Sequence, residues 1–365
     1  MSPLPPGPKR LPVIGSLLDM LPSYQWITFD KWCKHYGDIV YTEVLGTKFV
    51  VLGSAKRTEG LLMGRSAIYS DRTPQTMMQL MGWDWNMATQ RYGPSWRAHR
   101  RILADHFSAN VVSKFNPMQT QHVLRLQKRL LETPEEFLDH IRHGVSSIAV
   151  TYGIQAKDSK DPYVETAEET ISSLSHVGRG FSASSEICTT VVPGGRFSKK
   201  GWALEVVAKV VNQPWQFVKD GFTSLKDYRE GDDRTEQEQI AKGCVAAAYI
   251  GTCTCFFSPR VSEINEIVSG GGNDTIISAV QTFVLAMAMY PDIQKKAQAE
   301  IDAVIGCNRL PDIGDLDYLS FTETVVKETL RWQPAIPMGV PHYSMQDDEY
   351  DDFFIPKGSM VIGNS

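Results

Sequence analysis

The sequence predicts a mainly α-helical chain with a small β-sheet. Apolar residues recur at three- and four-residue spacing through most of its middle, whereas β-rich runs punctuated by glycine turns are confined to its beginning and end. No internal repeat or low-complexity linker interrupts this pattern, which favours one domain spanning residues 1–365. The composition agrees, since 42% apolar and 22% charged residues are the proportions of a globular protein. With 37 basic and 42 acidic residues the net charge is −5, which gives no reason to expect a nucleic-acid partner. The six cysteines are scattered, which argues against a disulfide framework, and Cys253-x-Cys255 lacks the second Cys or His pair of a zinc site.

Leu4–Pro12 is a stiff, proline-rich lead-in, and Tyr24–Tyr36 has helical spacing through Trp26, Ile27, Phe29, Trp32 and Cys33. Ile39–Val44 and Lys48–Leu52, joined by Leu45-Gly46-Thr47, form a predicted hairpin, and Ser54 is placed to cap the following helix. Tyr69–Tyr92, rich in Met77, Met78, Met81, Trp83, Trp85 and Met87, is either core filler beneath a long loop or an adaptable apolar wall over a ligand. Trp96–Phe107 is a helix on which Trp96 and Arg100 share a face. That face is either a solvated basic surface or a site where guanidinium and indole N–H hold an anion such as a carboxylate.

Helical patterns continue over Pro117–Tyr152, with a break at Thr133-Pro134, then over Tyr163–Val177 and Lys200–Lys219, before a charged connection at Asp220–Glu238. Two stretches break this logic. Gly251–Gly270 inserts a proline and mixed polarity between Val245–Ile250 and the strongly helical Ile276–Tyr290, so a long core helix has been cut open; Ser182–Gly195 is out of register with its flanks less clearly. The apolar runs Cys244–Phe257 and Ile276–Tyr290 are too short to cross a bilayer, and M-S-P-L-P-P-G-P-K-R has no hydrophobic segment, so neither a signal peptide nor an anchor is expected.

Asp292–Ile305 is an amphipathic helix opened by Pro291 and closed by Gly306. Thr322–Pro334 is a helix on which Glu328 and Arg331, three apart, can pair; taken alone they are an ordinary solvated ion pair. Gly339–Tyr343 and Asp352–Ile362, the latter turning at Pro356-Lys357-Gly358, complete the strands.

Five of these features occur in a specific order: P-P-G-P at Pro5–Pro8, W-x-x-x-R at Trp96–Arg100, G-G-x-D-T at Gly271–Thr275, E-x-x-R at Glu328–Arg331, and Pro341-His342 followed by F-I-P-K-G ending at Gly358. Together they resemble the cytochrome P-450 family of haem-thiolate monooxygenases, in its microsomal, fungal style. The resemblance implies a single-domain fold around haem b, with Trp96, Arg100 and His342 holding its propionates. It also implies that Asp274 and Thr275 relay protons beside the iron, with Ile276 where relatives often carry a second hydroxyl. Glu328 and Arg331 become a buried structural pair. Further implications are a small apolar substrate oxidised with dioxygen, a role in fungal secondary metabolism, and an NADPH-dependent reductase as electron donor. The full-length member would sit on the cytosolic face of the endoplasmic reticulum membrane, while this chain, without an anchor, is compatible with a soluble form.

The family's ligand loop, F-x-x-G-x-R-x-C-x-G, is absent, since none of the six cysteines has glycine two residues later and none lies beyond Cys307. Thiolate ligation of the usual kind is therefore not expected, and the chain resembles a copy lacking the haem-cysteine loop and inactive by itself. Deleting Gly251–Gly270 would join A-A-A-Y-I to G-G-N-D-T in one continuous helix, which marks the segment as a suspected retained intron or gene-model error. The alternative is a non-catalytic helical remnant that binds apolar ligands or partners. No G-x-S-x-G or H-E-x-x-H motif supports a hydrolase.

Overall fold

The computed structural model describes residues 2–21, 24–74, 76–107, 113–144, 154, 157, 160–178, 198–221, 234–251 and 272–364. They fall into two compact units: Met1–Leu103 with Thr166–Ala247 and Pro337–Ser365, and Ala104–Glu165 with Ala248–Ile336. Ser182–Gly195 and residues 252–270 of the suspected insertion lie outside the described residues.

The first unit is built on a mixed sheet. Strands β1 (Ile39–Val44) and β2 (Thr47–Leu52) form the predicted antiparallel hairpin, with Ile39 opposite Leu52 and Val44 opposite Thr47. Leu45 and Gly46 both take positive φ, 49° and 82°, as a two-residue turn matched to strand twist requires. Strand β3 (Asp71–Arg72), β4 (His342–Tyr343) and β7 (Ser359–Gly363) complete the order β1-β2-β7-β4-β3, in which β2 and β7 run parallel. Strands β5 (Asp348–Tyr350) and β6 (Phe353–Ile355) form a separate hairpin. The Asp352–Ile362 segment turns at Pro356–Gly358 as predicted, with Gly358 at φ 81°, but its two arms, β6 and β7, pair in different sheets.

Alternation along β1 and β2 gives the sheet two apolar faces. Val40, Val44, Phe49 and Val51, with Met360 and Ile362, pack on Phe29 and Trp32 of the Gln25–Tyr36 helix. Ile39, Tyr41, Val50, Leu52 and Val361 meet Leu61, Tyr69 and Ile355 on the other side. Each fully buried aliphatic side chain contributes about 1.5–3 kcal/mol here. The proline-rich lead-in lies along β1, where the Pro6 carbonyl accepts the Tyr41 N–H at 3.0 Å. Gly7 permits that approach, since a Cβ there would collide with the Tyr41 carbonyl oxygen.

Ser54 precedes the Ala55–Thr58 helix, as expected, but its side chain makes no cap bond; its hydroxyl donates instead to Asp38 Oδ2 at 2.9 Å. The β5–β6 hairpin is fastened by Asp348, which accepts from Arg65 Nη1 at 2.6 Å and the Tyr69 hydroxyl at 2.9 Å. Tyr350 beside it takes cation–π contacts from Arg57 and Arg65, at 5.9 and 5.0 Å. In the Met-rich segment Met78, Met81 and Trp83 are buried, which favours core filler at those positions.

The second unit is helical. The Asn116–Glu132 and Phe137–Gly144 helices are separated by the predicted break, where Pro134 starts a 3₁₀ turn and the buried His140 ring bonds Thr133. The Gly272–Met289 helix packs Ala286 and Met287 on Val325 and Phe321 of the Ser320–Trp332 helix. Glu300 of the Pro291–Ile305 helix then caps the Ser320–Trp332 helix, accepting from the Phe321 and Thr322 backbone N–H groups at 2.8 Å each.

Candidate functional site

Pro94 opens the Pro94–Phe107 helix, a position where its missing N–H costs nothing. His99, 4% exposed, and Leu103 face inward, and His99 Nδ1 donates to the Ser95 carbonyl at 2.9 Å. Trp96 is half-buried and Arg100 is exposed. The Arg100 guanidinium lies 6.0 Å from the Trp96 ring centroid. The structure therefore brings Trp96 and Arg100 together, and among the described residues the Arg100 side chain has no carboxylate partner.

His342 sits on β4 opposite Arg72 of β3. Its Nδ1 lies 2.6 Å from the Tyr69 carbonyl, and a carbonyl only accepts, so Nδ1 carries the proton. Burial, reinforced by the nearby Arg72 guanidinium, pushes the imidazole pKa down to about 4. At neutral pH the ring is uncharged, with a lone pair on Nε2.

Asp71, one residue before Arg72, is 3% exposed and bonded on every side. Its Oδ1 accepts from the backbone N–H groups of Arg72 and Tyr92, at 2.9 and 2.8 Å. Arg91 Nε approaches both oxygens, at 2.9 and 2.8 Å, and Arg91 Nη2 also donates to Oδ2. Burial by itself would raise the Asp71 pKa, but the Arg91 bond and the two backbone donors outweigh it and hold the carboxyl below its ordinary value. From this centre Tyr92 places its ring 5.3 Å from that of Trp96, and Arg72 Nη1 donates to the Val340 carbonyl at 2.6 Å. Sequence reading missed Asp71 and Arg91, which stand twenty residues apart in no motif; the only hint was an Asp-Arg pair closing an apolar stretch.

In the second unit Asp274 lies in the first turn of the Gly272–Met289 helix, and Thr275 beside it is buried, 6% exposed. An acid in a first turn suits the helix dipole. Glu328 and Arg331 pair as predicted, with Arg331 Nε and Nη2 donating to the two carboxylate oxygens at 2.7 and 2.6 Å. The expected burial is corrected, however: their side chains are 57% and 71% exposed, because no described element packs over that face of the helix.

Trp96 and Arg100 suit an acidic group, with an indole N–H beside a guanidinium that has no carboxylate partner among the described residues, whereas His342, neutral at pH 7, would donate to one only on protonation at Nε2. Of the described cysteines, burial raises the Cys33 thiol to about 11 and Cys244 to about 12, while Cys307 is exposed. Cys188, Cys253 and Cys255 lie outside the described residues. Trp96 and Arg100 thus fit the carboxylate side of a haem, and none of the six cysteines stands in the family's ligand-loop context for its axial side.

A family model described as Cytochrome P450 matches residues 5–179 and 261–365. Cytochrome P450 monooxygenase ple1 of Rhodocybe pseudopiperita is 36% identical over 383 residues, covering 99% of this chain and 69% of its own length. The monooxygenase COX2 of Coprinopsis cinerea is 35% identical over 387 residues, covering 99% and 69%. Cytochrome P450 monooxygenase 98 of Postia placenta is 33% identical over 385 residues, covering 100% and 70%. Among the described residues no single helix is long and apolar enough to cross a membrane.

Proposed function

The chain belongs to the cytochrome P450 family, and on that premise we propose that it carries the propionate-binding and proton-delivery parts of a haem-dependent monooxygenase. Haem, when bound, would supply the activation of dioxygen, which with two electrons from a reductase and two protons places one oxygen atom in a C–H bond of an apolar substrate and releases the other as water. Arg100 would neutralise a propionate and Trp96 would donate its indole N–H. His342, neutral in the unliganded chain, would donate from Nε2 once a bound propionate raised its pKa, while Nδ1 keeps its bond to Tyr69. Asp274 and Thr275 would pass protons inward, a carboxyl and a hydroxyl being suited to that exchange, and Thr275 is buried. Glu328 and Arg331, exposed in this chain, would serve structure only in a full-length member where further chain packs over them.

Membership of the family implies a reductase and an organic substrate in general terms. We assign the finer roles, an NADPH-dependent reductase and attachment to the cytosolic face of the endoplasmic reticulum membrane, to the full-length enzyme. The polypeptide of 365 residues is proposed to be inactive by itself, and the observation that carries this is that none of its six cysteines stands in the F-x-x-G-x-R-x-C-x-G context of the family's ligand loop. The reduced, carbon-monoxide-bound absorption spectrum of the purified chain tests it. A thiolate-type Soret band would refute the reading.

We also read 251–270 as an insertion within one incomplete monooxygenase domain. Helices end at Gly251 and begin at Gly272, immediately on either side, which supports a single parent helix. Sequencing spliced transcripts tests this, and mature message that always contains the segment would sink it.

A further inference from the structure

We propose that Asp71 is the positioning residue of the carboxylate-binding face, one buried anion that sets both of its halves. The inference rests on the assignment of Trp96, Arg100 and His342 to the haem propionates. Towards the helix, Asp71 holds Arg91 by a two-pronged bond and the Tyr92 backbone N–H at 2.8 Å. Tyr92 is thereby fixed where its ring meets Trp96, at 5.3 Å between centroids, and Trp96 in turn lies under Arg100. Towards the sheet, Asp71 holds the Arg72 backbone N–H at 2.9 Å and stands opposite Tyr343 in the β3–β4 pairing. Arg72 pairs with His342 and clasps the Val340 carbonyl just before it. Arg91 closes the circuit, its guanidinium 5.5 Å from the Tyr343 ring.

The electrostatic consequence concerns selectivity. A cationic site has to keep its guanidinium free for the ligand, and Asp71 engages Arg91 through Nε and Nη2 while Arg100 has no carboxylate partner among the described residues. Without that carboxylate, Arg91 would lose its anchor and Tyr92 would no longer be held against Trp96. Asp71 touches no ligand in this scheme and acts through Trp96, Arg100 and His342.

The test is a titration of the full chain with haemin and, in parallel, with haemin dimethyl ester, which lacks free carboxylates, read by Soret absorbance and tryptophan quenching. Wild type should prefer haemin, and Arg100→Ala should abolish that preference. Asp71→Asn and the milder Arg91→Lys should each weaken haemin binding about tenfold, as for loss of one charge-assisted contact, and leave the ester unchanged. Arg91→Lys keeps the charge and the backbone bonds to Asp71, so it reports even if Asp71→Asn does not fold. If Arg100→Ala loses the preference while Asp71→Asn and Arg91→Lys bind as wild type, or lose both ligands equally, the positioning role is overturned and the propionate assignment stands. If Arg100→Ala changes nothing, the propionate assignment fails first.

Discussion

His342 donates its Nδ1 proton to the backbone carbonyl of Tyr69, 2.6 Å away across the β3–β4 edge of the sheet. The bond fixes which nitrogen is free, and burial keeps the ring neutral, with its pKa depressed to about 4. In the unfolded chain the same imidazole titrates near its ordinary value. Between these values the unfolded state binds the extra proton, so stability is complete above the unfolded pKa and falls as pH drops towards 4. Denaturant titrations from pH 7 to 4 should show a loss of up to about 3 kcal/mol from this residue. His342→Gln should flatten that limb, and an unchanged limb would contradict the assignment.

Tyr69→Phe separates the backbone role of this residue from its side-chain role. The hydroxyl bond to Asp348 is lost, at a cost of about 1–2 kcal/mol in urea unfolding. The carbonyl that holds His342 is untouched, so the acid limb should persist.

Gly7→Ala should release the proline-rich lead-in from β1, because the new methyl meets the Tyr41 carbonyl oxygen, which is backbone and cannot move aside. The expected cost is about 1–3 kcal/mol. Trypsin should then cut faster at Lys9 and Arg10, and an unchanged rate would show that the strand edge accommodates the methyl.

Glu328→Gln tests the exposure of the ion pair. An exposed pair on one helix face is worth little, so the thermal midpoint of this chain should stay within error of wild type. A drop of many degrees would mean that the pair is buried in solution.

The sequence was most legible where a residue's neighbours in sequence are its neighbours in space. The β1–β2 hairpin, the Thr133-Pro134 break and the pairing of Glu328 with Arg331 follow from turn chemistry and helical spacing. The spacing by itself gave a solvated pair, as observed, and it was the resemblance that implied burial, which depends on what packs over the helix. The Asp71–Arg91 bond was invisible for a related reason, since a loop of twenty residues returns to its start and no local rule fixes where it closes. Family motifs drew attention to Trp96, Arg100 and His342, but the tautomer of the imidazole follows only from its bond to the Tyr69 carbonyl, which no motif records.

The parallel pairing of β2 with β7 carries a consequence for biosynthesis. Lys48 bonds the Lys357 carbonyl across a sequence separation of 309 residues, and Val50 lies opposite Val361 within the same ladder. On the ribosome the β1–β2 hairpin is therefore complete long before its neighbour exists, with the open edge of β2 and its flanking valines waiting through most of translation. Late-closing contacts of this kind fold slowly and invite chaperone capture. Charged substitutions along β7 should thus reduce the yield of soluble chain by leaving that edge unsealed.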